Sequence, residues 1–236
     1  MNTTTQPIST AASPAELARN MTIATPFMLL VPVAFAAGFV LFDTDLRWLA
    51  IAAGAAGWLA ALALRAPVSL IAMRLFGQTD RTKAIVVGSS GPLEEIVRLA
   101  TLVIVGRSLA EAASIGIGWA AIEVVYTVAV GFLTVNLLRR DDPEARQAKD
   151  LLESQGMLRA TGPALGVLER IGASALHIGF TLIVAWSLPA AIVTAIVHSA
   201  INLVIIRTFK TSALASELAL LATGFAALAA GIALLA

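Results

Sequence analysis

Apolar residues in this chain fall in blocks of about twenty, the length of helix that crosses ~30 Å of hydrocarbon. Backbone in lipid must pair its own N–H and C=O groups, so such blocks read as helices. The pattern defines an all-α polytopic membrane protein of about seven transmembrane helices, with six to eight as the range the boundaries allow. Spans are expected at 21–42, 46–64, 83–105, 110–138, 163–186, 188–208 and 213–236. Residues 1–20, rich in Thr, Ser, Ala and Pro, are expected to form a flexible tail ahead of a single transmembrane domain, 21–236. Ala34-Phe35-Ala36 is faintly like a cleavage site, but the apolar run continues past it and only Arg19 precedes it, so an uncleaved anchor is expected.

Two segments depart from the pattern. Residues 67–76 are apolar but carry Arg74 and are too short to span, so they form either an interfacial helix or the tilted end of the second span, which Arg65 is expected to close. Residues 139–159 are the largest polar stretch and are expected to hold a short amphipathic helix at the headgroups. With seven spans, twelve of the 16 Lys and Arg residues fall on the side of the N-terminus, while only Arg47 and Arg107 lie opposite. The positive-inside rule therefore puts the N-terminus in the cytoplasm and the C-terminus outside, in a prokaryotic cytoplasmic membrane. The chain has no cysteine, which excludes disulfides, thiol catalysis and thiolate metal sites. No nucleic-acid face and no nucleotide loop is visible, since Gly116-Ile117-Gly118 lacks the strand a phosphate site requires and reads as close helix packing, as do Gly54 and Gly57.

The third span is the anomaly. Glu94, Glu95 and Arg98 cost about 2.5 to 3.5 kcal/mol each near mid-span, while each Ile, Leu or Val returns only ~0.3 to 0.6. The eleven such residues in 83–105 do not offset three charges, so the polar face must turn toward other helices or a water-filled cavity. Arg98 is four residues from Glu94 and three from Glu95, so either carboxylate can pair with it. Gly88-Ser89-Ser90-Gly91-Pro92 predicts a break, with Ser90 or Gly91 capping a half-helix and Glu94 in its first turn among free amides.

Three further spans carry the other candidate residues. Glu123 lies in the fourth, with Tyr126 three residues on; Glu169, Arg170 and His177 lie in the fifth; His198 and Asn202 lie four apart in the sixth. Both histidines of the chain are thus intramembrane. Counting ~1.5 Å per residue, Glu94, Glu123 and His198 share one depth, with His177 within about 5 Å of it. Intramembrane carboxylates and imidazoles at one level point to acid–base chemistry. A purely structural role for Glu123, satisfying Arg98 or Arg170, competes evenly with a catalytic one.

These residues resemble the CAAX-protease and bacteriocin-processing intramembrane proteases, and most nearly their YhfC-like group. Glu94-Glu95-Ile96-Val97-Arg98 is similar to the paired-glutamate motif, with two residues rather than the usual three between Glu95 and Arg98. The run from Gly116 to Glu123 resembles a glycine-histidine-glycine motif ending in Glu, with Trp119 where a histidine is usual. Glu169-Arg170 through His177 resembles the third motif, and His198 through Asn202 the fourth. The likeness covers 84–207. It implies a glutamic-type intramembrane endopeptidase without cofactor, acting on a peptide or a membrane-protein segment. Glu94 and His177 would activate water, His198 and Asn202 would stabilise the oxyanion, and Glu95, Arg98, Glu123, Glu169 and Arg170 would support them. A zinc hydrolase using His177, His198 and Glu94 is the metallo alternative. A transporter or proton-coupled channel, and an inactive protease-like binding protein, are the alternatives outside enzymology.

Overall fold

The computed structural model describes residues 13–154, 162–209 and 211–235, and among these every regular element is α-helical. The predicted tail lies outside the described residues up to 12. From there Ser13 caps the first helix, α1 (Pro14–Leu41), by accepting from the Glu16 N–H at 3.1 Å, with Pro14 at the first helical position. The helix thus begins seven residues before the expected span and takes in most of 13–20. The second helix, α2 (Trp48–Phe76), runs straight through Arg65 and Pro67, so 67–76 is the end of the second span rather than a separate interfacial helix. Arg65 does not close it; one proline is tolerated because only its own N–H and one carbonyl lose their bond.

The third span is two helices, α3 (Asp80–Gly88) and α4 (Ser90–Val105), which meet at Ser89. The break is slight. Ser89 keeps helical dihedrals (φ −75°, ψ −14°) and stays in the backbone ladder, with Ser89 N bonded to Ile85 O and Leu93 N to Ser89 O. Neither Ser90 nor Gly91 caps α4. Instead the Ser89 and Ser90 hydroxyls donate to the Val86 and Val87 carbonyls at 2.9 and 2.7 Å. Pro92 has no N–H to offer the Gly88 carbonyl four residues back, and the Ser199 hydroxyl supplies that bond from another helix at 2.6 Å. Glu94 is the fifth residue of α4, beyond its first turn, so free amides do not hold it.

A tight link through Gly106, whose φ of 137° suits glycine alone, leads to a Ser108–Glu111 capping box. From it start α5 (Leu109–Arg139), then α6 (Pro143–Ser154), capped by Asp142 through the Ala145 N–H. The predicted amphipathic helix is therefore present over part of 139–159, and 155–159 lie outside the described residues. The last three helices, α7 (Pro163–Trp186), α8 (Ala190–Phe209) and α9 (Ala213–Leu235), follow the predicted fifth to seventh spans within two residues. Six helices, α1, α2, α5, α7, α8 and α9, are each long and apolar enough to cross a membrane, and α3 with α4 makes the interrupted seventh path.

The helix at the centre is α7, buried along nearly its whole length. Its closest partner is α9, and glycines explain why. Gly172 and Gly179 on α7, and Gly224 and Gly231 on α9, are each seven residues apart, two turns along one face. Each lies against the backbone or Cβ of the facing helix, where a side chain has no room. Gly54 against Ile115, Gly118 against Ile51 and Gly116 against Ile178 do the same for α2, α5 and α7, as expected of paired small residues. Gly179→Val should therefore force α7 and α9 apart and lower stability by about 1–3 kcal/mol, the usual cost of overpacking. Unfolding of the purified protein in a denaturing-detergent titration measures it, and an unshifted midpoint would refute this packing.

Candidate active site

Helical spacing delivers the polar side chains to one place. Trp119, Glu123 and Thr127 follow every fourth residue on α5; Thr194, His198 and Asn202 do so on α8; Arg170, His177 and Thr181 share a face of α7. With Glu94, Glu95 and Arg98 from α4, all of these but Asn202 form a single network, which takes in Glu169 at one end.

Arg98 is its hub and is fully buried. Its Nε donates to both Glu95 oxygens at 3.1 Å, Nη1 to the His177 carbonyl at 3.2 Å and the Thr181 hydroxyl at 2.6 Å, and Nη2 to His177 Nδ1 at 3.2 Å. The guanidinium stacks 4.3 Å over the Trp119 ring, a favourable cation–π contact. A guanidinium only donates, so His177 Nδ1 accepts and the His177 proton sits on Nε2. That nitrogen lies 2.6 Å from Glu123 Oε2, an ion-pair distance without hydrogen-bond alignment, so Oε2 keeps no hydrogen-bond donor. Glu123 also takes Arg170 Nη1 at 2.8 Å, while Arg170 reaches Thr127 at 3.2 Å and Glu169 at 2.5 Å.

The two glutamates of α4 differ in surroundings. Glu95 accepts from Arg98, from the Thr194 hydroxyl at 3.0 Å and from His198 Nδ1 at 3.4 Å. His198 therefore carries its proton on Nδ1 and leaves Nε2 as an open lone pair. Glu94 accepts from Arg65 on Oε1 and from Trp119 Nε1 at 3.3 Å on Oε2. That second oxygen stands 3.9 Å from the open His198 Nε2, 3.7 Å from His177 Nδ1 and 3.9 Å from Arg98 Nη2. These two acceptor atoms face one another at 3.9 Å, a spacing that a bridging water fits. A water at an apex about 2.8 Å from each would donate one hydrogen to either atom.

Of the nine residues predicted for the site, eight belong to this network: Glu94, Glu95, Arg98, Glu123, Glu169, Arg170, His177 and His198. Asn202 stands apart by one helical turn, its amide donating to the Ser90 hydroxyl at 2.8 Å and tying α8 to α4. Sequence reasoning missed Arg65 and the hydroxyls of Thr181, Thr194 and Thr127. Each threonine lies four residues from a residue already singled out, and apolar sequence continuing on both sides of Arg65 marked it as intrahelical. The missing family histidine is answered by Trp119, which offers an indole N–H to Glu94 and a ring to Arg98.

Ligand atoms of Glu94, His177 and His198 lie within 4.8 Å of one another, the spacing a metal ion would need. The donor set does not fit zinc as it stands. His177 Nδ1 already accepts from Arg98, both Glu94 oxygens are engaged, and each of Glu94, Glu95 and Glu123 is paired with an arginine. A dication would enter a set whose charge is already balanced by arginines, and it would have to displace Arg98 from His177 Nδ1.

No protein-family model, curated protein or solved structure matches this chain. Its class is the one defined by fold and site together, an all-α multi-pass membrane protein enclosing a charged acid–base cluster.

Proposed function

We propose that the protein is a glutamic-type intramembrane protease, as the motif resemblance implies, working in a prokaryotic cytoplasmic membrane with its N-terminus inside. The observation that carries this reading is the pair Glu94 Oε2 and His198 Nε2, two acceptors poised on either side of one water position. Glu94 takes a proton from that water as its oxygen attacks the peptide carbonyl. Charge developing on the carbonyl oxygen meets the positive field of Arg98, whose Nη2 lies 3.9 Å from Glu94 Oε2. Protonated Glu94 hands that proton to His198 Nε2, 3.9 Å away, and His198 delivers it to the departing amine as the C–N bond breaks, leaving an acid, an amine and Glu94 as the carboxylate again. His177, whose Nδ1 accepts from Arg98 and whose Nε2 lies 2.6 Å from Glu123 Oε2, orients Arg98 and does not itself act as the base.

The substrate is a peptide or a membrane-protein segment brought to a site that is closed at rest, with Glu94 2%, His177 5% and His198 3% exposed. The test is cleavage of reconstituted membrane-protein substrates by the purified protein. Activity should persist at its full rate after exhaustive chelation, because the arginine-paired carboxylates leave no vacant ligand set. Loss of activity on chelation, restored by zinc alone, would replace this reading with the metallo form. A proton-coupled transporter would use the same row, which runs on through Glu123 and Arg170 to the half-exposed Glu169. It would move protons and cleave nothing.

A further inference from the structure

Of the five side chains around the Glu94 carboxylate, four are sealed: Trp119 and Arg98 at 0%, His177 at 6% and His198 at 3% side-chain or residue exposure. The fifth, Arg65, is 25% exposed and is the only one contributed by α2. Its bonding is lopsided. Nη2 pairs with Glu94 Oε1, yet the buried Nε has no hydrogen-bond partner, an arrangement with an uncompensated cost that a second position of the side chain would relieve. Glu123 and the 40%-exposed Tyr126 lie within its electrostatic reach, so the guanidinium has other groups to turn to.

The backbone on both sides of this pair is interrupted. Pro67, two residues beyond Arg65, leaves the Ala63 carbonyl without its helical partner. On the facing side, the junction at Ser89 precedes Glu94 by five residues, and Gly88 has open space around it. Between these weak points the end of α2 packs on α3, tied by the Thr82 hydroxyl to the Gly77 carbonyl at 2.6 Å.

We infer that Arg65 is a latch: it holds the Glu94 carboxylate in an ion-paired resting state, and its release, with α2 parting from α4, opens the site and frees Glu94 to act. This rests on the protease reading for its consequence in catalysis and on geometry alone for the opening. Arg65 is a positioning residue acting through Glu94. A purely structural arginine would lower activity when removed, whereas a latch raises it.

The chain has no cysteine, so one introduced at Val97, on α4 where it packs against Trp58, Ala61 and Trp119 beneath α2, reports the parting of these helices. A water-soluble methanethiosulfonate reagent is the probe, applied to Val97→Cys protein in bilayers. Adding Arg65→Gln should speed labelling about tenfold, the shift that 1.4 kcal/mol produces in a two-state equilibrium, and should raise kcat for cleavage in the cysteine-free protein. Arg65→Lys, which keeps an ion pair, should restore slow labelling. Faster labelling with no cleavage by any variant would uphold the latch and overturn the protease reading. Unchanged labelling, with cleavage intact in the parent and lost in Glu94→Gln, would overturn the latch and keep that reading. A fall in kcat with unchanged labelling would also overturn it.

Discussion

Glu94→Gln should abolish cleavage, lowering kcat by about 10²–10⁴, the range that general-base catalysis contributes. The amide is nearly isosteric but cannot take a proton from water. It also has one acceptor where the carboxylate has two, so either Arg65 or the Trp119 N–H loses its partner. Some stability is lost as well, and folding must be read beside activity by the unfolding midpoint and monodispersity in detergent. Glu94→Asp controls for this, because it keeps the charge while drawing the oxygens back by one methylene from His198 Nε2. It should fold and retain a small residual rate. Full cleavage by a folded Glu94→Gln variant would remove Glu94 from the reaction.

The largest effect on stability is expected at Arg98. Arg98→Met removes five hydrogen bonds made by three nitrogens and leaves Glu95 buried with only Thr194 and His198, while the His177 carbonyl loses one of its side-chain donors and His177 Nδ1 loses its donor. Breaking a buried ion pair by removing one partner costs about 3–5 kcal/mol, because the remaining charge stays desolvated. The companion variant Arg98→Met/Glu95→Gln removes both charges and should recover part of that loss, a coupling that a double-mutant cycle reads directly. The midpoint of unfolding in a denaturing-detergent titration is the measurement. An Arg98→Met protein as stable as the parent would show that the network is not what holds α4 against α7 and α8.

Much of the fold was legible because a helix in lipid announces itself by length. The expected spans at 163–186 and 213–236 coincide with α7 and α9 to within a residue, and α5 extends its span by one residue at each end. Boundaries failed where one residue was given too much weight. Arg65 predicts an end to the second span, although a single long cation can reach inward and the helix runs on to Phe76. The polar run at 88–92 was expected to give a free half-helix terminus. Instead the hydroxyls of Ser89, Ser90 and Ser199 satisfy the carbonyls there, and α3 passes into α4 with only a small disturbance. The last span supplies the glycine face on which α7 rests and a buried carboxyl at Glu217.

The sequence by itself determined that the chain is a membrane bundle and that its charged residues must gather. Hydrocarbon penalises every unpaired charge, and period and depth then leave Glu94, Glu95, Arg98, Glu123, Arg170, His177 and His198 few places to go. Only the tertiary structure decided which atom faces which. It committed the lone pair of His177 to Arg98 and left that of His198 open toward Glu94; it also turned Asn202 to Ser90 and brought Arg65 in from α2. Those choices turn on helix rotations and approaches of an ångström or two, set by where glycines let backbones meet, and helical periodicity does not resolve differences that small.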